Sequence, residues 1–226
     1  MKKVLLFACI FSLFACAKDE TKNESSNGNV YVSNDTVNSS RIMMYTSGEQ
    51  IEDLSTIRSF ISRNIHSDLF IGEGEEEKSQ LRYKVSFIFD GNSVTEKYMN
   101  NTFVYDTIQK DNNITLFVKR DTVLSLPLDT SRLDCFNINR LIGATPAPVT
   151  CKTDECTSRE QFPVFIAGNK ITRQIINYFF IRKSATQNCD IYGNWRSDYF
   201  NYGILSKLQP GDTLVFQTAS YSLYKQ

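Results

Sequence analysis

The sequence predicts a mainly β protein. The expected fold is an antiparallel meander closing into a barrel, with a two-sheet β-sandwich as the alternative and one short helix near the start of the domain. Three observations predict it. Between Leu81 and Lys119, apolar and polar residues alternate in short runs separated by Gly, Asn and Asp, the period of strands with one face buried. The chain carries 16 Phe and 11 Tyr, and aromatic side chains suit a pleated, half-buried surface. Only around Ile51, Leu54, Ile57 and Ile61 do apolar residues recur at helical spacing.

The first element is a leader. Lys2 and Lys3 precede an uncharged apolar run of 12 residues, Val4 to Ala15. A membrane span needs about 20 residues, so residues 1–15 read as a secretory signal. Leu13-Phe14-Ala15-Cys16 resembles the bacterial lipobox: an aliphatic residue at minus three, a small one at minus one, then the obligate cysteine. The resemblance implies cleavage after Ala15, diacylglyceryl transfer to the Cys16 sulfur and acylation of the new amino terminus. Two or more acyl chains anchor a protein stably to a membrane. Lys18-Asp19-Glu20 resembles the lipoprotein export signal of Bacteroidota. That resemblance implies display on the outer face of the outer membrane; the alternative is a charged tether on a periplasm-facing lipoprotein. Residues 16–29 contain no large apolar side chain and read as a disordered tether.

Residues 30–226 read as one domain. Val30 to Ser33 starts a strand and Arg41 to Thr46 is a second, ending at Ser47-Gly48. Leu54 to Arg63 is the helix, with Asp53 as its N-cap. Arg82 to Phe89, Ser93 to Met99, Thr102 to Gln109 and Ile114 to Val118 follow as strands, and Thr122 to Leu126 extends the set. Strands joined by short turns pair antiparallel. Leu128 to Glu160 contains Pro146 and Pro148 and reads as a long excursion. Phe162 to Ile166 is a strand closed by Gly168-Asn169. Ile171 to Lys183 is ambiguous in period, but its β-branched and aromatic content favours a strand. Pro210-Gly211-Asp212 turns into a last strand, Thr213 to Tyr224. The set is lipocalin-like in outline.

Four cysteines remain once Cys9 leaves with the signal and Cys16 is acylated: Cys135, Cys151, Cys156 and Cys189. In an oxidising compartment they predict two disulfides, with three connectivities open. No paired CxxC is present, which argues against zinc. Four Asp-Thr-aliphatic triplets, the first at Asp35-Thr36-Val37, either mark strand entry or serve as modification sites. They resemble the O-glycosylation motif of Bacteroidota secreted proteins, and the resemblance implies Thr36 as an acceptor.

Charge and motifs narrow the function classes. Without the signal, 23 basic residues face 25 acidic ones, a net of minus 2. This leaves no basic footprint for nucleic acid. The sole histidine, His66, has no second ligand or catalytic partner in sight, and the acidic run from Gly72 to Glu77 lacks the alternating spacing of a calcium loop. No GxSxG, HExxH or phosphate-binding glycine loop occurs, and no cofactor is implied. Trp195, Tyr199 and Tyr202 lie in a polar-punctuated stretch, Ile191 to Tyr202. Either they fold onto the sheet or they engage a partner, since Trp, Tyr and Arg dominate binding hot spots. The sequence favours a non-catalytic module anchored in the outer membrane, its extracellular partner a glycan, a protein or a small ligand. A barrel carrier for a small apolar ligand and a glycan hydrolase built on two carboxylates are the alternatives.

Overall fold

The structure is a computed structural model that describes residues 29–226 except 48, 66–67, 73, 121–122, 125–134, 136, 146–148, 153–154 and 185–187. The signal, Cys16, the Lys18-Asp19-Glu20 run and His66 lie outside the described residues.

The chain opens with β1 (Val30–Ser39), β2 (Met43–Thr46), β3 (Glu49–Ile51) and helix α1 (Leu54–Asn64). A meander follows: β4 (Glu77–Gln80), β5 (Val85–Asp90), β6 (Ser93–Tyr98), β7 (Asn101–Gln109) and β8 (Ile114–Lys119). The excursion holds β9 (Val123–Leu124), the one-turn helix α2 (Ile138–Leu141), β10 (Val149–Lys152) and β11 (Glu155–Ser158). Then come β12 (Gln161–Ala167), β13 (Lys170–Lys183), β14 (Asn188–Arg196), a 3-10 helix (Tyr202–Lys207) and β15 (Asp212–Lys225). The expected strands all form; of the strand expected over Thr122 to Leu126, β9 is the part that falls within the described residues.

Eight strands close an antiparallel barrel in the order β1, β5, β6, β7, β8, β12, β13, β15, and β15 returns to β1. The expected barrel is therefore observed, and the sandwich is not. Closure leaves no free edge among these strands. β13 and β15 are 14 residues each and pair along almost their whole length, from Lys170↔Tyr224 to Arg182↔Asp212. Only their first and last halves, respectively, belong to the barrel. The remainder projects beyond it as a sheet of order β14-β13-β15-β2-β3.

This projecting sheet is covered on both faces, so its central strands are apolar on both sides. Ile176, Tyr178, Phe180, Leu214 and Phe216 pack with Ile138 and Ile142 at α2 and Ile204 of the 3-10 helix. Phe179 and Val215 pack on the other face against Ile57 of α1, Leu69 and Phe70. That double burial is why Ile171 to Lys183 shows no clean period of two. α1 is capped as expected: Asp53 accepts from the Thr56 N–H at 2.7 Å. Hydrogen bonds from Ser55 and Thr56 hold its carboxyl down at about 2.

Inside the barrel, inward positions alternate along each strand. Phe87, Phe117, Phe162 and Tyr105 meet with ring centroids 5.2 to 5.9 Å apart and plug it. Such edge-to-face and tilted packing suits the ring quadrupoles. β9, β10 and β11 form a separate small sheet. Cys135 and Cys189 are disulfide-bonded, with Cα atoms 6.1 Å apart, joining the excursion to β14. The backbone register sets Cys151 directly opposite Cys156 across β10 and β11; their side chains lie outside the described set.

Candidate functional site

The barrel is not filled to its end. Beside the aromatic plug, where the barrel meets the projecting sheet, a pocket of about 410 Å³ opens. Its inner wall is buried: Val85 of β5, Glu96 of β6, Tyr105 of β7, Arg173 and Ile175 of β13, and Tyr221 of β15. Half-buried aromatics, Tyr83, Tyr98, Phe103 and Trp195, form its sides. Asp68, Arg82, Asn101 and Asn194 stand exposed around its mouth. The volume lies in the ordinary range for small-ligand sites.

A charged pair sits at the inner wall. Arg173 bonds Glu96 Oε1 through Nη1, which also donates to the Tyr221 hydroxyl at 3.1 Å. Its Nε donates to Ser197 Oγ at 2.8 Å, and Nη2 also bonds that hydroxyl. Glu96 Oε2 accepts from the Tyr105 hydroxyl at 2.8 Å. Both carboxylate oxygens are thus engaged, and the pair is only 8% and 4% exposed. The guanidinium lies 4.6 Å from the Phe162 ring centroid and 5.7 Å from that of Phe87, so the plug also faces the cation with its rings. Burial opposes the charge on Arg173, but Tyr221 and Glu96 outweigh it and its pKa is raised. Burial, with Glu96 second, pushes the Tyr105 hydroxyl up. Burial likewise lifts Tyr221 to about 12, against the opposing pull of Arg173. Arg173 therefore keeps its charge, and the Tyr105 and Tyr221 hydroxyls keep their protons, at neutral pH.

Trp195 reaches the pocket through a β-bulge. β13 and β14 pair at Ile176↔Arg196 and again at Tyr178↔Gly193, so Asn194 and Trp195 together oppose Asn177. Such bulges re-aim side chains beside sites. Trp195 adopts φ of +52°, a left-handed conformation costing a non-glycine residue about 1–3 kcal/mol. Its N–H donates to Asn177 Oδ1 at 2.7 Å, which replaces the lost ladder bond. Asn177 is fully buried, and its Nδ2 has no partner among the described residues. Its cross-strand neighbour Gln217 is fully occupied, bonding Ser40 O and both backbone groups of Ile71.

The three aromatics singled out in the sequence fall in different surroundings. Trp195 lines the pocket and packs on the barrel core. Tyr202 lies edge-on to Phe200, centroids 4.8 Å apart, against the core of the projecting sheet. Tyr199 is half-buried beside Asp198. Thr36 is half-buried in β1, opposite Gln80 of β4. Sequence reasoning missed Glu96, Arg173, Tyr105 and Tyr221. A signal was present: Arg173 interrupts the inward series Ile171, Ile175, and Glu96 falls in phase with Val94.

Among the described residues, no group of three His, Cys, Asp or Glu side chains converges as a metal site. Comparison with family models, with curated proteins and with solved structures returned no match.

Proposed function

We propose that this protein is a lipid-anchored, surface-exposed lipoprotein that binds a small ligand, without catalysis, in the mouth of its barrel. The observation that carries the reading is the 410 Å³ pocket with aromatic sides and an ion-paired inner wall. A packed structural barrel has no need of such a cavity, since interiors otherwise close to near-crystalline density. The inner carboxylate, Glu96, has both oxygens committed to Arg173 and Tyr105. This favours a role in shaping the pocket over proton transfer, and a binding protein over a hydrolase.

The chain has one tryptophan, and it lines the pocket, so its fluorescence reports on this site alone. The uncharged dye N-phenyl-1-naphthylamine is expected to accept energy from Trp195 with saturation at one equivalent. Val85→Phe, which narrows the pocket, should weaken the signal about tenfold, equivalent to about 1.4 kcal/mol. Ile108→Ser, at an exposed position of β7, should leave it unchanged. Saturable energy transfer that a folded Val85→Phe variant does not alter would contradict the reading.

A further inference from the structure

The lining of the pocket says more about its ligand than size does. The inner polar groups are turned on one another: Arg173 on Glu96, Tyr221 and Ser197, and Tyr105 on Glu96. The mouth is the reverse. Asp68, Asn101, Asn194 and the Tyr98 hydroxyl line the pocket, and none makes a side-chain hydrogen bond among the described residues. Arg82 lies over the face of Tyr83, at 5.2 Å from the ring centroid. Tyr83 in turn stands edge-on to Tyr98, with centroids 5.8 Å apart. A ligand therefore meets aromatic surfaces from Tyr98, Phe103 and Trp195 beside a mixed set of donors and acceptors.

The charges cancel. The lining holds two carboxylates, Asp68 and Glu96, and two guanidinium groups, Arg82 and Arg173. The inner pair neutralises itself, and the outer two are opposite in sign and solvated. An ionic ligand would enter without a buried counter-ion, and burying an unpaired charge is costly. An apolar ligand can rest on the aromatic sides but leaves the amide, hydroxyl and charged groups at the mouth without partners, so a ligand that also hydrogen-bonds them should bind better.

We infer that the pocket takes a neutral, polyhydroxylated ring, that is, one or two uncharged sugar units. A pyranose offers an apolar C–H face to Tyr98 and Trp195, and an equatorial rim of hydroxyls, each both donor and acceptor, to Asn101, Asn194, Asp68 and Arg82. This inference rests on the ligand-binding reading of the same pocket.

The test is displacement of N-phenyl-1-naphthylamine by methyl glucoside, methyl galactoside, methyl mannoside, N-acetylglucosamine and the disaccharides maltose and cellobiose, each followed by Trp195 emission. At least one should displace the dye and shift the emission. Its charged relatives, glucuronate and glucosamine among them, should bind about tenfold more weakly, the factor corresponding to about 1.4 kcal/mol. Tyr98→Ala should abolish the sugar effect. Tyr98→Phe, which keeps the ring and is isosteric, should retain stacking and lose several-fold. If the dye binds in the pocket and no neutral sugar displaces it, or if a charged sugar competes as well as its neutral parent, the sugar assignment is overturned while the pocket reading stands. If neither the dye nor any neutral sugar alters Trp195 emission, the pocket reading falls, and the sugar assignment with it.

Discussion

At the scale of single residues, neither Arg173 nor Glu96 can be replaced alone without stranding a buried charge. Taking two charges out of water costs several kcal/mol per ion, and only good geometry offsets it. Here each partner has further hydrogen bonds, from Arg173 to Ser197 and Tyr221 and from Tyr105 to Glu96. Removing one partner strands the other. Glu96→Ala is therefore expected to lower stability by about 3–5 kcal/mol, measured by urea unfolding. The double replacement Glu96→Leu with Arg173→Met should recover most of that loss, because apolar residues of similar volume replace a buried pair at little cost. A single variant as stable as wild type would mean that Arg173 is solvated. The pairing itself was not legible from sequence spacing: 77 positions separate the two residues, and only barrel closure joins β6 to β13. What the sequence does show is a charge in an inward phase, at Arg173 between Ile171 and Ile175.

At the scale of elements, β14 is where sequence and structure part. Ile191 to Tyr202 is punctuated by Gly, Asn, Arg and Asp, and that polarity looks like a loop. Its first part is instead the end of an edge strand whose outward positions are exposed, so polar residues cost nothing there. The bulge at Asn194 and Trp195 then breaks the alternation that would have marked a strand. β5 to β8, with one buried face and short turns, were legible for the opposite reason, as was α1 from its cap and spacing. The bulge depends on Gly193. A Cβ at this position would lie 2.6 Å from Tyr178 Cζ and 2.9 Å from Arg196 Cδ. Tyr178 is fully buried and tied to Asn139 and Arg196, so the ring cannot yield. Gly193→Ala should push β14 off β13, at a cost of about 1–3 kcal/mol as for other overpacked sites. Because Trp195 rides on the same bulge, its emission should shift to the red along with a lower melting temperature. An alanine variant with wild-type emission and melting would show that β14 is less tightly docked than the register implies.

At the scale of the whole molecule, the barrel has a polarity that bears on the proposed anchor. Val30 pairs with Ile88 near the β5–β6 turn, and the Gln226 N–H donates to Val30 O, so both ends of the domain lie at that end. Val85, Tyr98 and Asn101 mark the opposite end, where the pocket opens. The 14 residues expected to form a tether, 16–29, would span at most about 50 Å if extended. A chain acylated at Cys16 would then hold the domain by the end opposite the pocket, with the pocket facing away from the bilayer. That arrangement leaves the pocket open to solution on whichever side the anchor holds it, and the Lys18-Asp19-Glu20 resemblance implies the outer face. Protease treatment of intact cells should therefore degrade the wild-type domain. Changing Lys18, Asp19 and Glu20 together to Ala should protect it until the outer membrane is opened, and Cys16→Ala should release it from the membrane fraction. Equal protection of wild type and the triple variant would remove the export signal, and a Cys16→Ala protein still tightly membrane-bound would remove the anchor. The pocket and its chemistry would stand in either case, because they depend on the closure of eight strands and not on the address that precedes them.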